Sequence, residues 1–159
     1  MDNSFLIIGT NFKVAELDRV AKVHWREQTR LTYFLKTVKG LFGLDEIFFL
    51  ETCNRREFFM KFRSPDVDLP TVKERWLQLM ERDLETQLDP FDFFMYQGDD
   101  AFMHLFKVAS SLESMVLGET EITKQIKDQT ARARQSGLLG PFLSLWVDTA
   151  LRASKRVRT

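Results

Sequence analysis

Ile47-Phe48-Phe49-Leu50-Glu51-Thr52-Cys53-Asn54-Arg55-Arg56-Glu57-Phe58-Phe59-Met60-Lys61-Phe62 sets two apolar runs around a polar heptapeptide. Short runs rich in Ile and Phe with a polar break between them read as a β-hairpin or a tight strand-to-strand crossing, with Cys53 near its tip. That places the chain's only thiol within reach of solvent. A lone cysteine is ordinarily a small buried apolar residue. Here Arg55 and Arg56 follow closely, and nearby positive charge favours thiolate over thiol, below the free value of about 8.5. A thiolate at neutral pH is a nucleophile, so the stretch points to covalent chemistry on an electrophilic carbon.

Outward from the hairpin, Phe5 to Thr10 reads as a strand, and Ala15 to Lys39 as one amphipathic helix with Leu17, Val20, Leu31, Phe34, Leu35 and Val38 at three- and four-residue steps. Gly40 and Gly43 end it. On the other side, Ser64-Pro65 through Leu69-Pro70 reads as a loop. Thr71 then looks like a helix N-cap, with Glu74 completing a capping box, and Val72, Trp76, Leu79 and Met80 share one face. Phe91 to Tyr96 is the fourth strand. Strand, helix, strand, strand, helix, strand is the split βαβ order, which predicts an α+β, ferredoxin-like (βαββαβ) antiparallel sheet with both helices on one face. From Asp99 onward only helices are expected: Ala101 to Ser111, Glu119 to Gln135, and Phe142 to the end. The last ends in mid-pattern at Arg158-Thr159 with no glycine, proline or cap, which suggests that the chain was cut there or that the helix continues into a missing domain.

With 159 residues the chain can bury a core of its own. One cysteine excludes an internal disulfide, a Cys-x-x-Cys redox pair and any Cys-based zinc site, and suits a reducing compartment. The early apolar run, Phe5 to Ile8, is far short of a signal-peptide core or a membrane span, so a cytoplasmic protein without membrane contact is expected. Formal charge is zero but uneven: from Lys124 to Thr159 eight basic residues face two acidic ones, Asp128 and Asp148. Such asymmetry reads either as a footprint for nucleic acid or as a solvated helix face.

Several segments taken together resemble one family. They are Gly9-x-Asn11-x-Lys13, Thr52-Cys53-Asn54-Arg55 with Glu57, His104-Leu105, Ser114, Val116-Leu117-Gly118-Glu119, Ile122, Gln125, Lys127, and Ala153 with Lys155-Arg156-Val157-Arg158-Thr159. In order and in spacing they closely resemble the N-terminal region of glutamyl-tRNA reductase. The resemblance implies a catalytic domain over residues 1–141 and the start of a long spinal helix over 142–159. It also implies NADPH-binding and dimerisation domains outside this chain, in agreement with the lack of any Gly-x-Gly-x-x-Gly run. The implied partners are glutamyl-tRNA, a second copy in a homodimer, and glutamate-1-semialdehyde aminomutase.

Position by position, the resemblance implies that Cys53 attacks the ester joining glutamate to tRNA and that His104 matters for activity. It marks Thr52, Asn54, Arg55, Ser114, Glu119, Thr120, Glu121 and Gln125 as substrate contacts. Thr120-Glu121 stand where the family usually has Pro-Gln, and Phe12 where it has His; a carboxylate at 121 would repel a substrate carboxylate unless a cation intervened.

The chemistry fits these residue types. An aminoacyl ester is activated, and displacement by a thiolate gives a thioester, a better hydride acceptor than the ester. Reduction of that thioester with NADPH would give glutamate-1-semialdehyde, for tetrapyrrole synthesis. His104 could take the thiol proton or return one to the ribose oxygen, or else be a hydrogen-bonded core residue. Arg55 could grip the γ-carboxylate bidentately, or pair with Glu51 or Glu57. Phe48, Phe49, Phe58 and Phe59 read as core, and His24 carries no functional pattern. Lys124, Lys127, Arg132 and Arg134 suit tRNA phosphates. Two other readings stay open on the residues alone: a stand-alone cysteine esterase, and a non-catalytic tRNA-binding or regulatory module.

Overall fold

The computed structural model describes residues 2–110 and 120–158. Four strands, β1 (Phe5–Asn11), β2 (Leu44–Thr52), β3 (Arg55–Phe62) and β4 (Phe94–Gln97), form one antiparallel sheet in the order β2-β3-β1-β4. This is the ferredoxin-like order. The hairpin is present as read, with Cys53 and Asn54 as its two turn residues between the paired Thr52 and Arg55.

Successive side chains of a strand point to opposite faces, and the phenylalanines divide accordingly. Phe49 stacks on Phe58 at 4.5 Å, and Phe48 on Phe59 at 4.8 Å. The first pair lies under α2 (Gln28–Leu41) and α3 (Leu69–Leu84), where Phe34 and Trp76 close on Phe58 at 6.3 and 5.1 Å. The second face is covered by α4 (Asp99–Ala109) and α6 (Pro141–Arg158): Phe5 meets Phe102 at 4.7 Å and Phe142 at 5.9 Å, and Phe102 meets Trp146 at 4.4 Å. Phe48, Phe49, Phe58 and Phe59 are all core, as is Phe62 at the end of β3.

Three local expectations are corrected. The helix from Ala15 to Lys39 is broken into α1 (Leu17–Val20) and α2. In a continuous helix Trp25 would point away from Val20 and Val23; the break lets all three be buried, and Trp25 Nε1 donates to Asp83 Oδ2 at 2.6 Å. Pro70 belongs to the first turn of α3 rather than to a loop, because a proline there removes only an N–H that has no helical partner. The N-cap is therefore Asp68, and Thr71 donates its hydroxyl to Asp68 Oδ2 at 2.5 Å. The fourth strand starts at Phe94, since Pro90–Asp92 is a turn of 3-10 helix in which Asp89 accepts from the Phe91 N–H.

The exposed edge of β2 is covered. Ile47 N donates to Leu138 O at 2.9 Å, and further along, Gln129 of α5 (Thr120–Gln135) accepts from Glu51 N at 2.7 Å and donates to Glu51 O at 2.8 Å. A side-chain amide thus takes the place of the next strand. The buried carboxylate of Glu46 accepts from the backbone N–H groups of Gly140, Phe142 and Leu143 at 2.8 to 3.0 Å, so β2 caps the start of α6.

Candidate active site

Cys53 is exposed at the hairpin tip, and its Sγ lies 3.5 Å from Asn54 Oδ1. The turn around it is tied down. Asn54 N donates to Thr52 Oγ1 at 3.2 Å, and Asn54 O accepts from Phe12 N at 3.0 Å. Thr52 and Asn54 are both nearly buried, so each spends polar atoms on shaping the turn.

The two arginines that follow lie on opposite faces of β3, as strand alternation requires. Arg55 is fully buried, and its Nη1 donates to Glu57 Oε2 at 2.9 Å. Of the two ion-pair partners open to it in the sequence, Glu57 is the one used. Its Nε and Nη2, the side-on edge of the guanidinium, have no hydrogen-bond partner among the described residues. The Phe12 ring lies 6.0 Å from its Cζ.

Glu57 is the hub of this face. Besides Arg55, it takes Asn11 Nδ2 at 3.3 Å on Oε2 and His104 Nε2 at 2.5 Å on Oε1. Burial alone would raise its carboxyl, but the His104 charge and hydrogen bond, then Arg55 and Asn11, outweigh it and hold the group below the ordinary glutamate value. Gly9, paired with Glu57, makes room for it: a Cβ there would lie 2.6 Å from Arg56 O and 2.9 Å from Glu57 Cγ. Asn11 also folds the following turn, accepting Lys13 N on Oδ1 at 3.0 Å. The Gly9-x-Asn11 spacing thus serves a carboxylate on another strand, which a linear reading does not reveal.

His104 is buried on α4 against the rings of Phe94 and Tyr96, at 5.1 and 4.8 Å. Its Nε2 is hydrogen-bonded to Glu57. Gln125 is half-buried on α5, one turn before Gln129. Ser114 and Glu119 lie outside the described residues, as do the side chains of Thr120 and Glu121.

On the opposite face, Arg56 donates from Nε to Val23 O at 2.9 Å and from Nη1 to Arg55 O at 3.1 Å and to Thr52 O. Glu51 Oε2 is shared between Arg56 Nε at 3.1 Å and His24 Nδ1 at 2.6 Å. His24 thus belongs to a charged cluster against the hairpin, although its sequence neighbourhood gave no sign of one.

The sequence model of the family described as "Glutamyl-tRNAGlu reductase, N-terminal domain" matches residues 8–159. Among similar proteins, glutamyl-tRNA reductase of Aquifex aeolicus is 38% identical over 156 residues, covering 96% of this chain and 36% of its own length. That of Ignicoccus hospitalis is 30% identical over 157 residues, covering 99% and 34%. The solved structure of glutamyl-tRNA reductase from Methanopyrus kandleri superposes with a TM-score of 0.77 at 28% identity, over 98% of this chain and 34% of that one. This chain therefore spans about a third of the length of the proteins it matches.

Proposed function

The chain belongs to the glutamyl-tRNA reductase N-terminal domain family, and from that premise we propose that it is the part of such a reductase that takes the glutamyl group from tRNA onto Cys53. The observation that carries this reading is one hairpin presenting an exposed thiol and, two residues on, a buried guanidinium with its side-on edge unpaired among the described residues. An unsatisfied buried donor pair is costly. A carboxylate matches it bidentately, and the γ-carboxylate of a glutamyl ester is such a group.

In the proposed step, Cys53 Sγ attacks the ester carbonyl, a C–S bond forms and the bond to the ribose oxygen breaks. The departing oxygen takes a proton, a role this proposal gives to His104, whose ring is held by Glu57. Thr52 and Asn54 hold the turn, while Gln125 and the residues at 114, 119, 120 and 121 are proposed to complete the substrate pocket. Glu57 offsets the charge of Arg55 without occupying its free edge.

The residues present do not suit a dinucleotide. The four strands among the described residues are antiparallel, and the sequence has no Gly-x-Gly-x-x-Gly run to approach a pyrophosphate. Reduction by NADPH to glutamate-1-semialdehyde, like the homodimer and any aminomutase contact, is assigned to the two thirds of the relatives' length that this chain does not span. Residues 142–159 are proposed as the beginning of the spine that leads there.

The test is direct. Mixed with glutamyl-tRNA, the 159-residue chain should gain a glutamyl adduct on Cys53 by mass spectrometry, or slowly hydrolyse the ester, and Cys53→Ser should do neither. Absence of both in the unaltered chain, together with full activity of Cys53→Ser in the complete enzyme, would overturn it. A cysteine esterase would instead turn over simple activated esters and be indifferent to tRNA.

A further inference from the structure

Resting on Cys53 as the nucleophile, we infer that Arg56, not Arg55, is the positioning residue of the sulfur. Its guanidinium clamps the carbonyls on both sides of the Cys53 turn and fixes a positive charge beside it. Thr52 O and Arg55 O, the two acceptors of Nη1, are the last carbonyl of β2 and the first of β3, so one nitrogen closes the mouth of the hairpin. Nε anchors the group outside the hairpin, on Val23 O at 2.9 Å. A side chain held at three backbone carbonyls has little freedom to leave.

Charge supports the same assignment. Arg55 is committed to Glu57 on the other face. The guanidinium of Arg56 is pulled down by burial and held up by the charges of Glu51 and then Cys53, so the two side chains sit within electrostatic reach of one another. Facing the pair are Glu51 on β2 and His24 in the segment before α2, with Gln129 of α5 on the Glu51 backbone. Arg56 is held by the three carbonyls, so the effect of Glu51 on it is partial neutralisation. His24, on the same carboxylate oxygen, limits that neutralisation when protonated.

Because the chain has one cysteine, alkylation by iodoacetamide reads Cys53 alone. The experiment is the pH–rate profile of alkylation in the 159-residue chain for the unaltered protein, Arg56→Lys and Arg56→Gln, each checked for folding by thermal melting. Arg56→Gln should alkylate about tenfold more slowly at pH 7, with its profile displaced to higher pH by about one unit. Arg56→Lys, which keeps the charge but not the fork, should recover most of that displacement. If Arg56→Gln fails to fold, Glu51→Gln decides instead: with the competing carboxylate gone, alkylation at pH 7 should accelerate several-fold. Identical profiles in all three proteins, an equal displacement in both Arg56 variants, or a slower Glu51→Gln overturns the inference. Glutamyl transfer onto the unaltered chain is scored separately, so a chain that alkylates as expected but is never acylated removes the proposed function and not the role of Arg56.

Discussion

Glu57 is a carboxylate with no exposure to water, held between two side chains that can be cationic, Arg55 and His104. Breaking a buried pair by removing one charge typically costs about 3–5 kcal/mol, because the other charge is left without compensation. Glu57→Gln keeps the volume, so its effect should be electrostatic: a loss of that order in urea unfolding. The acid dependence has a definite sign. The folded carboxyl lies below the ordinary value of 4.5, so the stability it contributes is present above that value and lost as pH falls through the lower, folded one. Unaltered protein should therefore lose stability steeply below about pH 4.5, and Glu57→Gln should start lower but show a flatter acid limb. Equal acid slopes in the two would mean that Glu57 is not the group being protonated. At this scale the sequence was informative about identity and poor about partners. Cys53 at a hairpin tip could be read from the alternation of apolar and polar runs, whereas the division of Arg55 and Arg56 between two faces needed the strand register. His24 and Glu51 meet across 27 residues of chain, and no local pattern encodes that.

Among elements, the order of strands and the two helices on the first face were legible because periodicity and turn residues act locally. What failed were boundaries at which a proline or tertiary burial overrode the local signal, as at Pro70, Pro90 and Trp25. The seat of α6 was not legible, since it depends on Glu46, a residue that looks like an ordinary exposed position in a strand. Its carboxylate caps three backbone N–H groups, and Gly140 leaves room for it: a Cβ there would lie 2.9 Å from Glu46 Cδ. Removing the cap leaves buried donors unpaired, so Glu46→Ala should cost about 2–3 kcal/mol and lower the melting temperature by about 5–10 °C. Helicity should be lost first at α6 in hydrogen exchange. A global loss with α6 protection unchanged relative to the sheet would show that the helix is held by its apolar contacts with α4 and not by its cap.

For the molecule as a whole, the question is how an RNA would approach Cys53, and the charge distribution supplies an answer within the proposed function. The amide of Gln129 fixes α5 along the edge of β2, so the outer face of α5 runs beside the strand that leads to Cys53. Lys124, Lys127 and Arg132 are exposed there, and Asp128 is the acidic residue among them. Arg132 also lines the cavity of about 80 Å³ that Glu51 and Gln129 share. Arg134 is different: Ser144 holds it at 3.1 Å and Asp148 at 3.5 Å, which ties it to α6. Phosphate contacts release counterions, and each one lost lowers the slope of log affinity against log salt by about 0.7–0.9. Lys127→Glu and Arg132→Glu should each weaken tRNA binding and flatten that slope by about one contact, while Arg134→Gln should change it little. Alkylated Cys53 should bind tRNA with the same salt dependence as the free thiol, since phosphates position the RNA and the sulfur acts only on its acylated end. Equal slopes for all three variants would place the RNA on another surface, and would leave the basic excess of the C-terminal helices as a solvated face.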